Sequence, residues 1–173
     1  MDRAELSRYV RDIPDFPEPG ILFRDLTPLF LAPKAFAAAV ETVAEPFVGA
    51  GVDRVLGIES RGFILGAPVA QRLGAGFGLI RKAGKLPFRT HRVEYALEYG
   101  TDTVEMHVDT VEPGQRVLIV DDVIATGGTA LAAERLAREA GGEVIGCSFL
   151  VELDGLAGRG KLTSQKIHSV IHY

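Results

Sequence analysis

The chain is poor in cysteine and has no long apolar run, and both shortages exclude classes of protein. Cys147 is its single cysteine among 173 residues, which rules out an internal disulfide and, with no second cysteine nearby, makes a poor metal site. Because Cys147 lies in an apolar stretch, we expect its small side chain to be buried. A single cysteine also fits a protein of a reducing compartment. No uninterrupted apolar run is long enough to cross a membrane.

Positive charge is also scarce. Lys and Arg total 19 against 23 Asp and Glu, a formal net charge of −4, so no overall basic field favours nucleic acid. The N-terminus is charged from its second residue and lacks the apolar core of a signal peptide. With 47% hydrophobic residues, the composition predicts one cytoplasmic globular domain with its own core. We expect neither a nucleic acid nor a membrane as partner.

Two common phosphate motifs are missing as well. GxxxxGK[ST] is absent because the glycine pair near residue 127 lacks the required lysine, and GxGxxG does not follow a strand. Residues 117–129 instead read VLIVDDVIATGGT, an apolar strand, the acids Asp121 and Asp122, and a glycine turn before a helical segment. Such a helix start presents free backbone N–H groups and a positive dipole end, which suit one phosphate. The acids then fit sugar hydroxyls or a metal ion beside it; a turn with solvated acids is the alternative.

Strands alternate with helices along the chain. We predict strands at 54–58, 77–80, 103–108, 116–120, 144–151 and 167–173, and helices at 4–10, 34–48, 63–73 and 129–140. This alternation predicts an α/β protein with a mostly parallel sheet covered on both faces, whose ligands bind beyond the carboxyl ends of the strands. Residues 82–100 have little apolar content and are predicted to form a long loop, either a lid or disordered.

Basic residues cluster around the same edge of the predicted sheet. They are Arg61, Arg81, Lys82, Lys85, Arg89 and Arg92. Arginine forks and lysine ammonium groups suit a polyphosphate, although Arg89 and Arg92 read equally well as solvated loop residues. A sugar-phosphate pocket beside a separate anion pocket fits phosphoribosyl pyrophosphate, which carries both groups.

The segment VLIVDDVIATGGT resembles the signature of the type I phosphoribosyltransferases. Four further segments are similar to the adenine phosphoribosyltransferases of that family, namely FRDLTP at 23–28, GIESRGF at 57–63, RKAGKLP at 81–87 and LEYG at 97–100. The resemblance runs from about Pro14 to the last strand. It implies one domain with the type I fold, a mostly parallel twisted sheet flanked by helices, with a small hood at 1–33 and a flexible lid loop at 82–100.

The resemblance also implies an activity and a set of residues. The 5-phosphoribosyl group would pass from phosphoribosyl pyrophosphate to adenine, giving AMP and pyrophosphate with Mg²⁺, in a homodimer that serves purine salvage. Implied phosphate ligands are Ala125, Thr126, Gly127, Gly128 and Thr129. Implied pyrophosphate ligands are Glu59, Ser60, Arg61, Arg81, Lys82 and Lys85, in a loop that often contains a non-proline cis peptide. Asp121 and Asp122 would hold the ribose hydroxyls directly or through Mg²⁺, and Arg61, Glu98 and both aspartates are the candidate catalytic residues.

The lid and the base pocket complete the implied site. Glu98 and Tyr99 would close over the reacting centre, where Glu98 can accept the N9 proton of adenine or serve as an ordinary lid carboxylate. Phe23 can stack on a purine face, with Val123 or Ile124 covering the other, although Phe23 as a plain core residue is the alternative. The backbone of Leu22 can read N1 and the 6-amino group, and Arg24 can position this loop or contact the base.

Two competing functions stay open at this level. A related transferase for hypoxanthine, guanine or xanthine needs a donor for the 6-oxo group, and no lysine lies near Phe23 or Val123 in the sequence. A regulator that senses phosphoribosyl pyrophosphate and binds nucleic acid should carry an extra DNA-binding segment or a broad basic face. The sequence offers neither feature, so adenine phosphoribosyl transfer is the function we expect.

Overall fold

A computed structural model describes residues 1–96 and 100–173. Its helices are α1 (Arg3–Ser7), α2 (Thr27–Leu31), α3 (Pro33–Ala44), α4 (Arg61–Leu73) and α5 (Gly128–Glu139). Its strands are β1 (Arg11–Pro14), β2 (Leu22–Asp25), β3 (Arg54–Ile58), β4 (Gly76–Lys82), β5 (Thr90–Ala96), β6 (Thr101–His107), β7 (Arg116–Ile124), β8 (Glu143–Glu152) and β9 (Ile167–His172). Short 3-10 helices follow α3 and β8.

The main sheet has seven strands in the order β5-β6-β4-β3-β7-β8-β9. Strands β4, β3, β7, β8 and β9 run parallel, whereas β6 pairs antiparallel with β4 and with β5. The remaining strands, β1 and β2, form a separate antiparallel pair. The predicted α/β architecture with a mostly parallel sheet is therefore confirmed. The antiparallel ribbon of β5 and β6 extends this sheet at one edge.

The hydrophobic core lies on both faces of this sheet. Successive residues of a strand point to opposite faces, and β7 shows the alternation clearly. Leu118 and Val120 join the core under α3 and α4, whereas Val117 and Ile119 join the core under α5 and the β5–β6 ribbon. Cys147 is fully buried in the second core, as expected from its apolar neighbours.

The helices predicted at 4–10 and 34–48 end earlier than expected, at Ser7 and Ala44, and two further corrections concern the candidate site. Strand β7 was expected to end at Val120 but continues to Ile124, so both acids of the motif lie within it. Thr90–Ala96, predicted as part of a structureless loop, form β5. Val93 and Tyr95 are 7% and 8% exposed, because antiparallel pairing with β6 turns them toward the core. The function of 82–100 as a lid stays a prediction.

Among the residues that the structure describes, no helix combines the length and the apolar character needed to cross a bilayer.

Candidate active site

The glycine turn between β7 and α5 forms the floor of a small cavity. Gly127 caps the helix with φ 76°, a left-handed conformation that favours glycine, and no side chain in the described ranges caps this end. The first N–H groups of α5 therefore lack intrahelical partners at the positive end of the helix dipole. The cavity is lined by Asp121 and residues 123–130 and has a volume of about 100 Å³. Since one water needs roughly 10–15 Å³, this cavity can hold a phosphate group.

Of the two acids of the motif, Asp121 faces this cavity, whereas Asp122 is buried outside its lining. Asp121 lines it and its Oδ1 accepts a hydrogen bond of 2.9 Å from the backbone N–H of Asp122. Burial raises the pKa of Asp121 well above its usual range, and the neighbouring charge of Asp122 raises it further. Burial likewise raises the pKa of Asp122, although Arg61 opposes that change. A pair of carboxylates so disfavoured in their charged form is poised to receive hydroxyl donors or a cation.

Arg61 connects the acid pair with the antiparallel strands β1 and β2, which form the N-terminal hairpin. It is the first residue of α4, and its Nε lies 2.7 Å from Asp122 Oδ2. This is an ion pair without an aligned hydrogen bond, since Oδ2 is buried and accepts none from the described residues. The guanidinium carbon also lies 5.2 Å from the ring centroid of Phe23. One residue before α4, the peptide bond between Glu59 and Ser60 is cis, as the family resemblance implied.

Glu59 gathers three of the predicted basic residues. Its carboxylate accepts hydrogen bonds from Arg81 Nε at 3.2 Å, from the backbone N–H of Lys82 at 3.1 Å and from the Lys85 ammonium. Burial opposes ionisation of this carboxyl, but the donors outweigh it and lower the pKa of Glu59 to about 2. Glu59 thus stays charged and orients the cations, which face the same edge of the sheet as the phosphate cavity.

Glu105, which the sequence did not single out, organises the backbone beside these cations. It is fully buried, and its Oε1 accepts hydrogen bonds of 3.0, 3.2 and 3.1 Å from the N–H groups of Gly84, Lys85 and Leu86. Alternation along β6 would place Glu105 on the face opposite the buried Val104 and Met106. These three backbone donors are 19 to 21 residues away in sequence, so no local pattern could have revealed them.

Tyr95 was also missed. It connects the glycine turn between β7 and α5, called the phosphate turn below (residues 125–129), with the basic residue Lys82. Its hydroxyl donates to Asp102 at 3.2 Å and accepts from Thr129 at 3.4 Å. Asp102 in turn pairs with Lys82, and this contact raises the pKa of Lys82 and lowers that of Asp102. One chain of contacts therefore runs from a predicted phosphate ligand to a predicted pyrophosphate ligand.

The predicted adenine-binding residues have different surroundings. Phe23 lies under Arg61 and packs edge-to-face on Phe16, with ring centroids 5.2 Å apart, and Val123 lines the phosphate cavity. Leu22 is exposed at the start of β2. Arg24 contacts other residues: it pairs with Asp12, and its guanidinium lies 3.7 Å from the ring centroid of Tyr173. Of the two predicted roles of Arg24, positioning of the hairpin fits this placement.

The predicted lid residues Glu98 and Tyr99 lie outside the described residues. Ala96, the last residue described before them, ends β5. Its carbonyl oxygen would be 3.3 Å from a Cβ placed on Gly128. The chain therefore enters the segment 97–99 directly beside the phosphate turn.

Comparison with known proteins first identifies the class. A protein-family model described as the phosphoribosyl transferase domain matches residues 31–170, and the parallel sheet with a phosphate-sized cavity at the start of α5 is the structure expected of that class. The adenine phosphoribosyltransferase of Thermobifida fusca (strain YX) is 58% identical over 165 residues, which cover 95% of this chain and 94% of that protein.

Solved structures narrow the comparison. The adenine phosphoribosyltransferase of Rhodothermus marinus DSM 4252 has a TM-score of 0.95 and 54% identity and covers 99% of this chain and 98% of its own. The Saccharomyces cerevisiae enzyme, solved with D-2,5-dideoxy-2,5-imino-altritol 1,6-bisphosphate and adenine, has a TM-score of 0.93 and 38% identity, with 98% of each chain covered. The chain belongs to the adenine phosphoribosyltransferase family, so the resemblance inferred from its motifs is confirmed.

Proposed function

We propose that this protein transfers the 5-phosphoribosyl group of phosphoribosyl pyrophosphate to adenine, producing AMP and pyrophosphate in purine salvage. Family membership supports the reaction. The single observation that carries it is a phosphate-sized cavity at the start of α5 that Asp121 lines, with Asp122 next to it in β7. A pentose phosphate needs both, an anion site for the phosphate and acceptors for the hydroxyls.

Residues Ala125, Thr126, Gly127, Gly128 and Thr129 bind the 5-phosphate in this proposal. Their backbone N–H groups and the helix dipole attract the phosphate without a charged side chain. Asp121 and Asp122 accept hydrogen bonds from the ribose 2- and 3-hydroxyls. Because burial disfavours their charged forms in the free protein, hydroxyl donors or a cation at the carboxylates relieve an existing cost.

Pyrophosphate binds to the basic groups around Glu59. Arg81, Lys82, Lys85 and Arg61 supply the positive charge. Ser60, which lies at the start of α4 with Arg61, is an uncharged ligand. Glu59 is a carboxylate and repels pyrophosphate, so its part is to hold Arg81 and Lys85 in place, as its hydrogen bonds indicate. When the bond from ribose C1 to pyrophosphate breaks, charge grows on the leaving oxygens, and cations that are already oriented stabilise it with little reorganisation.

The sugar becomes positively charged in the same step. The carboxylates Asp121 and Asp122 lie beside it and favour this charge, and Glu98 accepts the N9 proton of adenine as general base. Tyr99 and the rest of the lid at 82–100 exclude the water that would otherwise capture the sugar cation. Closure from this side is geometrically direct, since Ala96 already approaches Gly128.

The acid pair fits Mg²⁺. Hard carboxylate oxygens are its preferred protein ligands. Asp122 Oδ2 is a buried acceptor without a hydrogen bond from the described residues, and its ion-pair partner is Arg61. Asp121 and Asp122 would hold the ion directly or through the ribose hydroxyls. When bound, Mg²⁺ neutralises charge on the leaving pyrophosphate.

Adenine lies in this proposal between the N-terminal hairpin and the phosphate turn. Phe23 stacks on one face and Val123 covers the other, Leu22 offers backbone groups, and Arg24 fixes the hairpin. The yeast relative was solved with adenine, which supports a purine site in this fold. We also propose a hood at 1–33, a homodimer whose lid cations serve the neighbouring subunit, and a cytoplasmic location.

Product analysis tests the function. The purified protein is incubated with phosphoribosyl pyrophosphate, Mg²⁺ and adenine, hypoxanthine, guanine or xanthine in turn, and the nucleotides are separated by chromatography. We expect AMP and pyrophosphate in equal amounts from adenine and little product from the 6-oxo purines. Faster turnover of a 6-oxo purine would reassign the base, and binding of phosphoribosyl pyrophosphate without turnover of any base would reassign the protein as a sensor.

A further inference from the structure

The phosphate turn rests on a second backbone segment from a distant part of the chain. The connection from β8 to β9 contains two short 3-10 helices, Asp154–Leu156 and Gly158–Lys161, and Gly158 in the second is buried. A Cβ placed on Gly158 would lie 2.1 Å from the carbonyl oxygen of Ala125 and 2.7 Å from the nitrogen of Gly127. A Cβ on Gly127 would lie 2.3 Å from the carbonyl oxygen of Gly158. The two backbones therefore touch with no room for a side chain on either.

This contact lies outside the lining of the phosphate cavity. The lining consists of Asp121 and residues 123–130, and Gly158 is not part of it. Gly158 thus meets the turn away from the space that the phosphate would fill. A backbone packed against the outer side of a turn limits how far the turn can retreat when an anion enters.

The supporting segment is itself firmly attached to the sheet. Arg159 donates to both carboxylate oxygens of Glu152, with contacts of 3.0 and 2.6 Å, and also to the carbonyl oxygen of Ile167 at 2.8 Å and to Ser169 at 3.2 Å. Bidentate contacts of this kind fix direction as well as distance. At its start, the N–H of Leu153 donates to the carbonyl oxygen of Ile124, the last residue of β7.

We propose that Gly158 is a positioning residue for the 5-phosphate: it acts through the turn Ala125–Gly127, whose N–H groups it holds at the distance that the phosphate requires. This inference rests on the proposed function, because it assigns the phosphate to that turn. It predicts that an added methyl group impairs binding of the ribose phosphate while leaving the base pocket intact.

The expected effect follows from the overlap. Cβ contacts shorter than 3.0 Å are essentially not observed, and the obstacle is backbone rather than a flexible side chain. Gly158→Ala must therefore displace the turn by a distance on the order of 1 Å, and such misplacements cost up to about 100-fold in enzyme sites. The φ of Gly158 lies outside the left-handed region, so the methyl group acts by contact and not by backbone strain.

Two glycines of the same connection provide matched controls. A Cβ on Gly155 or on Gly160 has no atom within 4 Å, and neither has a left-handed φ. Both are exposed. Gly155→Ala and Gly160→Ala therefore make the same chemical change in the same segment without touching the phosphate turn.

The experiment compares these variants with the wild-type protein in two assays. Steady-state kinetics give KM for phosphoribosyl pyrophosphate, KM for adenine and kcat, and calorimetry gives Kd for ribose 5-phosphate; melting curves check the fold. For Gly158→Ala we expect KM for phosphoribosyl pyrophosphate and Kd for ribose 5-phosphate to rise about tenfold or more, with KM for adenine changed less than about twofold. Both control variants should match the wild type.

Arg159→Lys provides a second, milder lesion if Gly158→Ala fails to fold. It retains the positive charge but loses the bidentate contact to Glu152, so the segment can move away from the turn. We expect the same selective weakening of ribose 5-phosphate binding, to a smaller degree. Equal changes in both substrate constants, unchanged ribose 5-phosphate binding, or controls that behave like Gly158→Ala would overturn the positioning role.

The same data separate this inference from the function on which it rests. A wild-type protein that forms no AMP refutes the proposed reaction, and the Kd for ribose 5-phosphate still tests Gly158. A wild-type protein that forms AMP while Gly158→Ala binds ribose 5-phosphate normally refutes the positioning role alone.

Discussion

Glu59→Gln removes the carboxylate that holds Arg81 and Lys85 while preserving the size of the side chain. In the wild type, the donors around Glu59 lower its pKa from 4.5 to about 2. At 1.36 kcal/mol per pKa unit this corresponds to an upper limit of about 3 kcal/mol of folding free energy. The side chains of Arg81 and Lys85 are 31% and 49% exposed, so solvent screening reduces the expected loss to about 1–2 kcal/mol.

The assay is thermal unfolding of the free protein at neutral pH, followed by the same measurement in acid. For a domain of this size the expected loss lowers Tm by roughly 2–8 °C. Because the folded pKa is lower than the unfolded one, the stabilisation by Glu59 is fully present above the unfolded pKa and is lost as pH falls toward 2. The difference in Tm between variant and wild type should therefore be constant from neutral pH to about pH 5 and shrink below pH 4.5.

Glu41→Gln is the matched control. Glu41 pairs with Arg72 at 2.8 Å, but the two side chains are 58% and 42% exposed, and such surface pairs contribute about 0–1 kcal/mol. We expect a small change in Tm and unchanged enzyme kinetics. Equal losses for the two variants, or a difference for Glu59→Gln that grows in acid, would refute the reasoning that the partly buried Glu59 holds the cations in place.

Two further substitutions test the charges at the reacting centre. Asp121→Asn should raise Tm of the ligand-free protein, because it removes a carboxylate that burial and Asp122 disfavour, while kcat/KM falls about 100-fold or more; a lower Tm with full activity would contradict this. Glu98→Gln should lower kcat by roughly 100-fold or more with little change in KM, since a general base acts in the transition state; a rise in KM alone would make Glu98 a binding residue.

The phosphate site was predictable because its determinants are local. A strand, a glycine turn and a helix follow one another within residues 116–139, so the sequence order is also the spatial order. β3 was predicted with the observed bounds, Arg54–Ile58. The motif was misjudged only in where β7 ends, because aspartates are rare inside strands and Asp121 and Asp122 were taken as the stop.

The strand β5 could have been predicted, whereas Glu105 could not. Val93 and Tyr95 alternate with Arg92 and Glu94, which is the pattern of a half-buried strand, but the low overall apolar content of the region obscured it. Glu105 is buried by donors from a turn about twenty residues earlier. Gly158 is similar, because its contact with Gly127 depends on the β8–β9 connection folding back across the sheet.

The cations of the candidate site are paired with carboxylates in the free protein, and this limits how pyrophosphate can bind. The observed contacts are Arg61 with Asp122, Arg81 and Lys85 with Glu59, and Lys82 with Asp102. Since each cation already has a carboxylate partner, an arriving pyrophosphate must share or displace that partner. Affinity is lower than bare cations would give, but the cations are oriented before the substrate arrives. Preorientation favours the transition state, where charge on the leaving oxygens is greatest, more than the bound substrate. Loss of a holding carboxylate such as Glu59 should therefore lower kcat even where it leaves substrate binding intact.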